Sequence, residues 1–380
     1  MTSREADAAS SGVTAVTSAS DAWAENARVR LEILRRLDVD LFPRGRPTTL
    51  TCGDWEILDF SSCFGLEWTS DAAPNGAYVK IPKADITRQS VLPTSKVDCR
   101  MAEEEHASLQ YLARHWEGAG GDARFVDPLA FYPDLNAIVT RRAWGSDLLH
   151  AFRRIDFRAR LGMLGEVARL NGILQRIGTA VARFHENCTR ADGLGEGTAD
   201  LSHPISKIVR AADDLRQNGV PERRLSALLV SLRAVSPPPQ RVSLAMSLKG
   251  LDVRNILFDS RRDRLTFLDP GKMKVEPRQA NLARLLVTIR ILYWGTPWFV
   301  ARLAPASAFE GVVLAAADGA VDDRILSLYV VKELWKHWRA AHVALTLKGW
   351  PRPLERGLAR GYIDRFYATQ IGSELSRMVR

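Results

Sequence analysis

The sequence predicts an α+β fold in which a small antiparallel sheet precedes a larger helical region. Three observations lead to this prediction. Residues 48–83 alternate in polarity and are rich in β-branched and aromatic residues, which is typical of strands. The chain after Gly145 has long stretches with the apolar spacing of helices. A compact strand–turn–strand segment, Ser243–Leu268, interrupts those helices.

The predicted N-terminal lobe comprises residues 22–142 and follows a tail, residues 1–21, whose Ala, Ser and Thr content predicts disorder. Helical spacing in Ala22–Leu37 and Val97–Trp116 predicts one helix on each side of the sheet. The sheet itself is predicted from TTLTCGDWEILDFSSCFGLEW, a turn in SDAAPNG, the short strand AYVKI, and two further strands in RFVDPLAFYPDLNAIVTRRAW.

The predicted C-terminal lobe comprises residues 143–380 and is mainly helical, with a hairpin embedded at 248–272. Apolar periodicity predicts helices over Ile155–Glu186 and Ser206–Val235, and the run SPPPQ ends the second of them. The remainder, Asn281–Arg380, is also rich in helical patterns.

Composition restricts the classes of partner. The 380 residues carry 53 Lys and Arg against 44 Asp and Glu, a formal net charge of +9. That excess indicates either ordinary solubility or an anionic partner, and its scattered distribution disfavours nucleic acid. The most apolar stretch, Leu285–Leu303, contains Arg290, Gly295 and Pro297, so we expect no transmembrane segment. With no signal-peptide pattern and no CxxC pair, we expect a cytoplasmic protein.

The most informative segment is LKGLDVRNILFD, Leu248–Asp259, followed by RLTFLDPGK, Arg264–Lys272. Asn255 begins one short apolar strand and Asp269 ends the next, so a hairpin would bring them side by side. An amide oxygen beside a carboxylate suits a hard cation that holds phosphates. An ordinary hairpin with a polar cap is the alternative.

This segment resembles the catalytic loop and metal-binding hairpin of the kinase-like phosphotransferases, especially the aminoglycoside and small-molecule branch. That family carries HGDxxxxN, then ILxD, a turn, and a strand that ends in DFG or a variant. Asn255, the ILFD strand and Asp269 match this pattern, and LDPG stands where the family has IDFG. The resemblance implies a protein-kinase-like two-lobed fold, ATP or another nucleoside triphosphate, and Mg²⁺ held by Asn255 and Asp269.

The resemblance extends to three other positions in the same order along the chain. It implies a phosphate-binding lysine at Lys80, with Lys83 as its competitor, and a glutamate partner at Glu105. It also implies main-chain contacts to the nucleotide base near Arg141 to Ala143, followed by a tight bend at Gly145. A surface lysine and a solvated acidic run are the alternatives for the first two.

The sequence departs from the family pattern at the catalytic loop. Gly250 stands where the family has its catalytic aspartate, and glycine cannot accept a proton. Asp252 is the nearest carboxylate, while Lys249 and Arg254 could neutralise phosphate charge. Two hypotheses follow: a phosphotransferase with an atypical loop, or a pseudokinase-type nucleotide-binding or scaffold protein. For the enzyme, the implied acceptor is a hydroxyl of a small molecule, a saccharide or a lipid-linked acceptor, and the basic charge favours an anionic one.

Overall fold

The computed structural model describes residues 19–43, 45–47, 49–70, 73–85, 87–116, 123–163, 165–235, 241–294, 306–317, 323–347 and 353–379. They form two compact units, residues up to 102 with 130–139, and 103–129 with 140–380. The sequence placed a lobe boundary at 142/143, whereas residues 103–129 group with the second unit in the structure. Helix formation begins at Ala19, three residues earlier than expected.

The first unit is built around a six-stranded sheet with the order β1–β3–β4–β7–β6, in which β2 pairs with β3. The bounds are α1 Ala19–Leu41, β1 Thr51–Cys52, β2 Glu56–Ile57, β3 Ser61–Ser70, β4 Ala73–Pro82, α2 Lys96–His115, β6 Pro128–Tyr132 and β7 Ala137–Arg141. Parts of α2, β6 and β7 belong to the second unit.

Strands β3 and β4 form the long antiparallel hairpin of this sheet. Phe64 pairs with Val79 and Leu66 with Ala77, and all four side chains are buried on one face. The alternation read from the sequence therefore sets the register, because a slip of one residue would expose this whole apolar set. The sequence predicted a turn over SDAAPNG, but residues 73–76 of that segment continue the strand by pairing with residues 67–70.

The second unit combines two small sheets with most of the helices. The sheets have the orders β5–β12–β11–β8 and β13–β10–β9. The bounds are β5 Ala123–Phe125, β8 Ser146–Asp147, α3 Leu148–Arg160, α4 Gly165–Asp192, β9 Glu196–Thr198, α5 Ser202–Gln217, α6 Glu222–Val235, β10 Arg241–Leu248, β11 Ile256–Asp259, β12 Arg264–Phe267, β13 Met273–Pro277, α7 Gln279–Trp294, α8 Ala306–Ala316, α9 Asp323–Leu347 and α10 Pro353–Val379.

Two helices predicted as continuous are each divided in the structure. The prediction for Ile155–Glu186 spans the break between α3 and α4, and Gly162 in that break has φ +82°. The prediction for Ser206–Val235 spans the break between α5 and α6, where Gly219 has φ +85°. A left-handed residue cannot continue a right-handed helix, so glycine ends each one. None of the helices in the described ranges is long and apolar enough to cross a bilayer.

An aromatic cluster supports the hairpin formed by β11 and β12. Phe267 of β12 stacks on Phe125 of β5 with ring centroids 5.2 Å apart, and Trp116 lies 5.7 Å from Phe267 and 5.3 Å from Phe184 of α4. The Trp116 indole N–H donates to the carbonyl oxygen of Ala123, 2.9 Å away. The hairpin is therefore anchored to the long helix and to β5 through this aromatic cluster.

Replacing Phe267 by alanine should destabilise the protein by about 3–5 kcal/mol, because the change removes a buried ring and leaves a cavity in this cluster. Chemical denaturation gives the free energy of unfolding. Phe157→Ala is the matched control, since that ring is 63% exposed, and it should cost far less. Equal losses in the two variants would contradict the role of the cluster.

Candidate functional site

The hairpin of β11 and β12 places Asn255 and Asp269 at the same open end. Ile256 pairs with Phe267, and the backbone N–H of Leu268 donates to the carbonyl oxygen of Asn255 at 2.7 Å. Asn255 is thus directly opposite Leu268 and beside Asp269. The backbone brings the two residues together, while the convergence of their side chains on one cation stays a prediction.

The side-chain amide of Asn255 has a defined orientation. Its Nδ2 donates to the carbonyl oxygen of Gly250 at 2.9 Å. Because a carbonyl can only accept, the amide nitrogen must face Gly250 and the amide oxygen faces elsewhere. No residue in the described part of the chain donates to that oxygen. It is therefore available to a cation.

The chain after Asp269 turns sharply, with φ +20° at Asp269 and +58° at Gly271. The described ranges contain no group of three or more His, Cys, Asp or Glu that could hold a metal without other ligands. Mg²⁺ is commonly bound by one or two carboxylates together with substrate phosphates and water. Asn255 and Asp269 fit such a shared site and do not form an all-protein cage.

Gly250, at the position of the family's catalytic aspartate, lies against the backbone that follows β12. Its N–H donates to the carbonyl oxygen of Pro270 at 3.0 Å, and the N–H of Lys249 donates to that of Lys272 at 3.2 Å. A Cβ atom on Gly250 would lie 1.9 Å from the carbonyl oxygen of Asp269. No side chain fits there, so glycine is required by the close approach of two backbone segments.

Asp252 is engaged within its own loop. It caps a short 3₁₀ helix, Val253–Asn255, by accepting from the N–H of Arg254 at 2.8 Å, and it also accepts from Arg254 Nε at 2.9 Å. The hydrogen bond that Arg254 donates to this carboxylate raises the pKa of Arg254. In this arrangement Asp252 shapes the loop, and its role as a base stays a prediction.

A buried polar network, not anticipated from the sequence, holds the end of β10. Arg284 Nη1 donates to the carbonyl oxygen of Leu248 at 2.6 Å, and Asn281 Oδ1 accepts from the N–H of Leu248 at 2.9 Å. Asn281 Nδ2 also contacts His185 Nε2 at 2.9 Å. Burial lowers the pKa of His185 to about 3, so His185 is a neutral structural residue. The polar residues within the apolar run NLARLL were the available signal for this network.

The two candidate lysines differ in their surroundings. Lys83 is buried, and its ammonium donates to the carbonyl oxygen of Arg88 at 2.8 Å. Burial lowers the pKa of Lys83, and the contact makes it a structural residue of the first unit. Lys80 lies on the opposite face of β4 from the buried Val79 and pairs with Cys63 in β3. Glu105 is buried on α2, within the second unit.

The segment proposed to contact a nucleotide base begins at the end of β7. The backbone N–H of Arg141 donates to the carbonyl oxygen of Asp127 at 2.8 Å, and its guanidinium also contacts the Asp127 carboxylate. Ala143 lies outside any strand and makes no backbone hydrogen bond to a described residue. Gly145 forms the predicted bend with φ +128°, and a Cβ there would lie 2.7 Å from the backbone of Phe258.

Comparison with known proteins identifies the fold. No family model and no curated protein matches the sequence. Solved structures do match, among them a GDP complex of a mutant aminoglycoside 2′-phosphotransferase-IIIa, with TM-score 0.54, 13% identity, and 90% of this chain and 99% of that chain covered. A glucosamine kinase in complex with glucosamine, ADP and inorganic phosphate matches with TM-score 0.52, 16% identity, and 83% and 84% covered. A choline/ethanolamine kinase family protein from Mesorhizobium loti matches with TM-score 0.50, 14% identity, and 92% and 98% covered.

At these identities the common feature is the fold, and the match extends over 83–92% of this chain and 84–99% of the matched proteins. The resemblance inferred from the catalytic-loop hairpin is therefore confirmed for the fold, although no family model matches the sequence. The chain has the kinase-like fold of the small-molecule phosphotransferases, with mixed α and β structure and an antiparallel sheet in its N-terminal region.

Proposed function

We propose that this protein is a magnesium- and nucleotide-dependent phosphotransferase that acts on a hydroxyl group of a small molecule. The observation that carries the proposal is the Asn255 side chain, whose amide nitrogen is held by Gly250 while its oxygen is available at the open end of the hairpin. Asp269 follows directly after the residue opposite Asn255. This pair suits a cation that is shared with phosphate oxygens.

We also propose a role for each of the remaining site residues. Mg²⁺ at Asn255 and Asp269 would neutralise charge on the nucleotide phosphates. Lys80 would bind phosphate oxygens, since Lys83 is committed to a backbone carbonyl, and Glu105 would orient that lysine. The backbone near Arg141 and Ala143 would contact the base. Bound GDP and ADP in two of the structural neighbours support a purine nucleotide as the donor.

The transfer itself needs little covalent help from the protein. The acceptor hydroxyl oxygen forms a bond to the terminal phosphorus as the bond from that phosphorus to the bridging oxygen breaks, and the nucleoside diphosphate leaves with the electron pair. The hydroxyl proton passes late to the Asp252 carboxylate or to water. General-base help is typically worth about 10²–10⁴-fold, so an enzyme without the usual aspartate would be slow but not silent.

The second candidate is a protein that binds nucleotide without transferring phosphate. The observation that favours it is Gly250, where the backbone of Asp269 and Pro270 fills the space that a catalytic carboxylate would occupy. The two candidates share the nucleotide and the cation and differ only in turnover. A coupled assay that detects nucleoside diphosphate, with a panel of hydroxyl acceptors, separates them.

Asp269→Asn should weaken Mg²⁺-dependent nucleotide binding by at least tenfold while leaving the melting temperature nearly unchanged, because it removes the charge of one proposed metal ligand at a half-buried position outside the apolar core. Calorimetric titration with and without Mg²⁺ measures this. Asp263→Asn is the matched control. It lies at the opposite end of the same hairpin and also has positive φ, +48°. Equal effects of the two changes would disprove the metal assignment.

Asp252→Asn should reduce turnover by roughly two orders of magnitude with little change in nucleotide affinity if Asp252 receives the proton. If Asp252 acts only as a helix cap, we expect a small loss of stability instead, because the asparagine side-chain oxygen still accepts the hydrogen bond from the N–H of Arg254. Asp85→Asn is the control, since the Asp85 carboxylate likewise accepts a hydrogen bond from the N–H two residues on, that of Thr87, at 2.9 Å. Unchanged turnover in Asp252→Asn would exclude the base role.

Gly250→Asp should not create the usual catalytic aspartate. The added Cβ would collide with the Asp269 carbonyl oxygen, so the substitution should displace the loop and weaken nucleotide binding and stability together. Gly250→Ala should also weaken nucleotide binding and stability, because the collision begins at the Cβ atom. Gly195→Ala is the control, since a Cβ there meets nothing within 4 Å. A Gly250→Asp variant with raised turnover would overturn this reading of the loop.

A further inference from the structure

We propose that the acceptor is a small molecule that already carries two or more anionic groups, such as a phosphorylated sugar, and that it binds in a basic cavity of the second unit. The inference rests on the proposed function and adds the substrate class. The cavity has a volume of about 750 Å³, within the range of about 300–1,000 Å³ that small-molecule sites occupy.

The walls of this cavity are dominated by cations. Among the lining residues that the structure describes, nine are Lys or Arg and two are Asp or Glu. Including Glu104 and Glu276, which pair with lining cations, still leaves nine positive groups against four negative ones. Like charges gathered in a concave site repel one another unless an anion enters, so the cavity favours anionic ligands.

Two buried carboxylates hold part of this cationic surface in place. Glu333 of α9 contacts Lys336 at 2.9 Å and Lys332 at 3.3 Å. Glu276 of β13 contacts Arg284 at 3.0 Å. Burial opposes ionisation of Glu276, but Lys332 and Arg284 lower its pKa to about 2, so it stays charged. These pairs fix the cationic groups before any ligand binds, which reduces the entropic cost of binding.

Three other lining cations have no ion-pair partner among the residues that the structure describes: Lys207 and Arg210 of α5, and Lys249 after β10. Burial, and then the nearby charge of Lys336, lower the pKa of Lys249. An anion in the cavity would relieve this repulsion. These cations are the ones whose charge the protein leaves uncompensated.

The cavity adjoins the proposed site of transfer. Lys249 precedes Gly250, and its backbone is bonded to Lys272, just after the turn that contains Asp269. Both lysines line the cavity. An acceptor held there by its anionic groups would therefore lie beside the loop that carries Asn255 and Asp252.

The extent of the cationic surface indicates more than one anionic group. Along α9, Lys332, Lys336 and Arg339 all line the cavity, and seven residues of helix span ~10 Å. One phosphate cannot contact cations across that length together with those of α5. A concave site of about 750 Å³ suits a small molecule better than a nucleic acid, which would require an extended basic face.

The test is calorimetric titration of the full chain with fructose 1,6-bisphosphate, with fructose as the uncharged comparison, at an ionic strength of about 0.15 M. The variant is Lys207→Gln/Arg210→Gln, which removes two exposed cations that have no ion pair to lose. It should weaken bisphosphate binding by about tenfold or more and leave Mg²⁺·ADP binding unchanged. Arg223→Gln/Arg233→Gln removes the same charge from exposed positions on the neighbouring α6 and should alter neither.

Each other outcome overturns the inference. The inference fails if the bisphosphate does not bind, if both double variants weaken it equally, or if Mg²⁺·ADP competes with it for one site. Tighter binding of a single-stranded oligonucleotide with the same dependence on Lys207 and Arg210 would assign the surface to nucleic acid. Failure of the proposed function would give a different result: Mg²⁺-dependent nucleotide binding would be absent while bisphosphate binding was retained.

Discussion

The close approach of two backbone segments at Gly250 is the constraint on which the rest of the site depends. The loop that leaves β10 runs against the turn that leaves β12, and hydrogen bonds from Lys249 and Gly250 join them. This contact places Asn255 beside Asp269, lets Asn255 bond the Gly250 carbonyl, and leaves no space for a side chain at 250. The same geometry that brings Asn255 to Asp269 therefore excludes the usual catalytic carboxylate at position 250.

The contact at Gly250 also links the loop to the basic cavity. By pairing Lys249 with Lys272 it brings two ammonium groups to one wall, where α5 and α9 add further cations. Behind that wall, Arg284 serves two purposes: it supports the Leu248 carbonyl and it compensates the buried Glu276. The cost of burying these charges is offset because each is paired and hydrogen-bonded. Shape of the loop and charge of the cavity thus depend on the same buried residues.

The sequence predicted the secondary-structure elements better than it predicted the helix breaks and the contacts between distant residues. Polarity alternation predicted strands where β3 and β4 lie, and helical spacing located α2 and predicted a helix-rich C-terminal region, because both patterns report which face is buried. The same spacing missed the breaks at Gly162 and Gly219, since apolar periodicity resumes on the far side of each turn. The spacing of Lys332, Lys336 and Arg339 in the sequence does not by itself indicate a cavity, because the neighbouring tryptophans are also typical of core packing. In the structure Trp335 and Trp338 are buried, while the three cations line the cavity.

The sequence by itself determined the order of elements, the hairpin with Asn255 and Asp269 at its open end, and the absence of an aspartate at 250. These follow from local periodicity, turn residues and residue identity. Only the tertiary structure decided that backbone fills the space beside Gly250, that Asp252 caps its own loop, that Lys83 is committed to a carbonyl, and that cations from five separate segments share one cavity. Such facts depend on contacts between residues far apart in the chain, and no local pattern specifies which surfaces those contacts join.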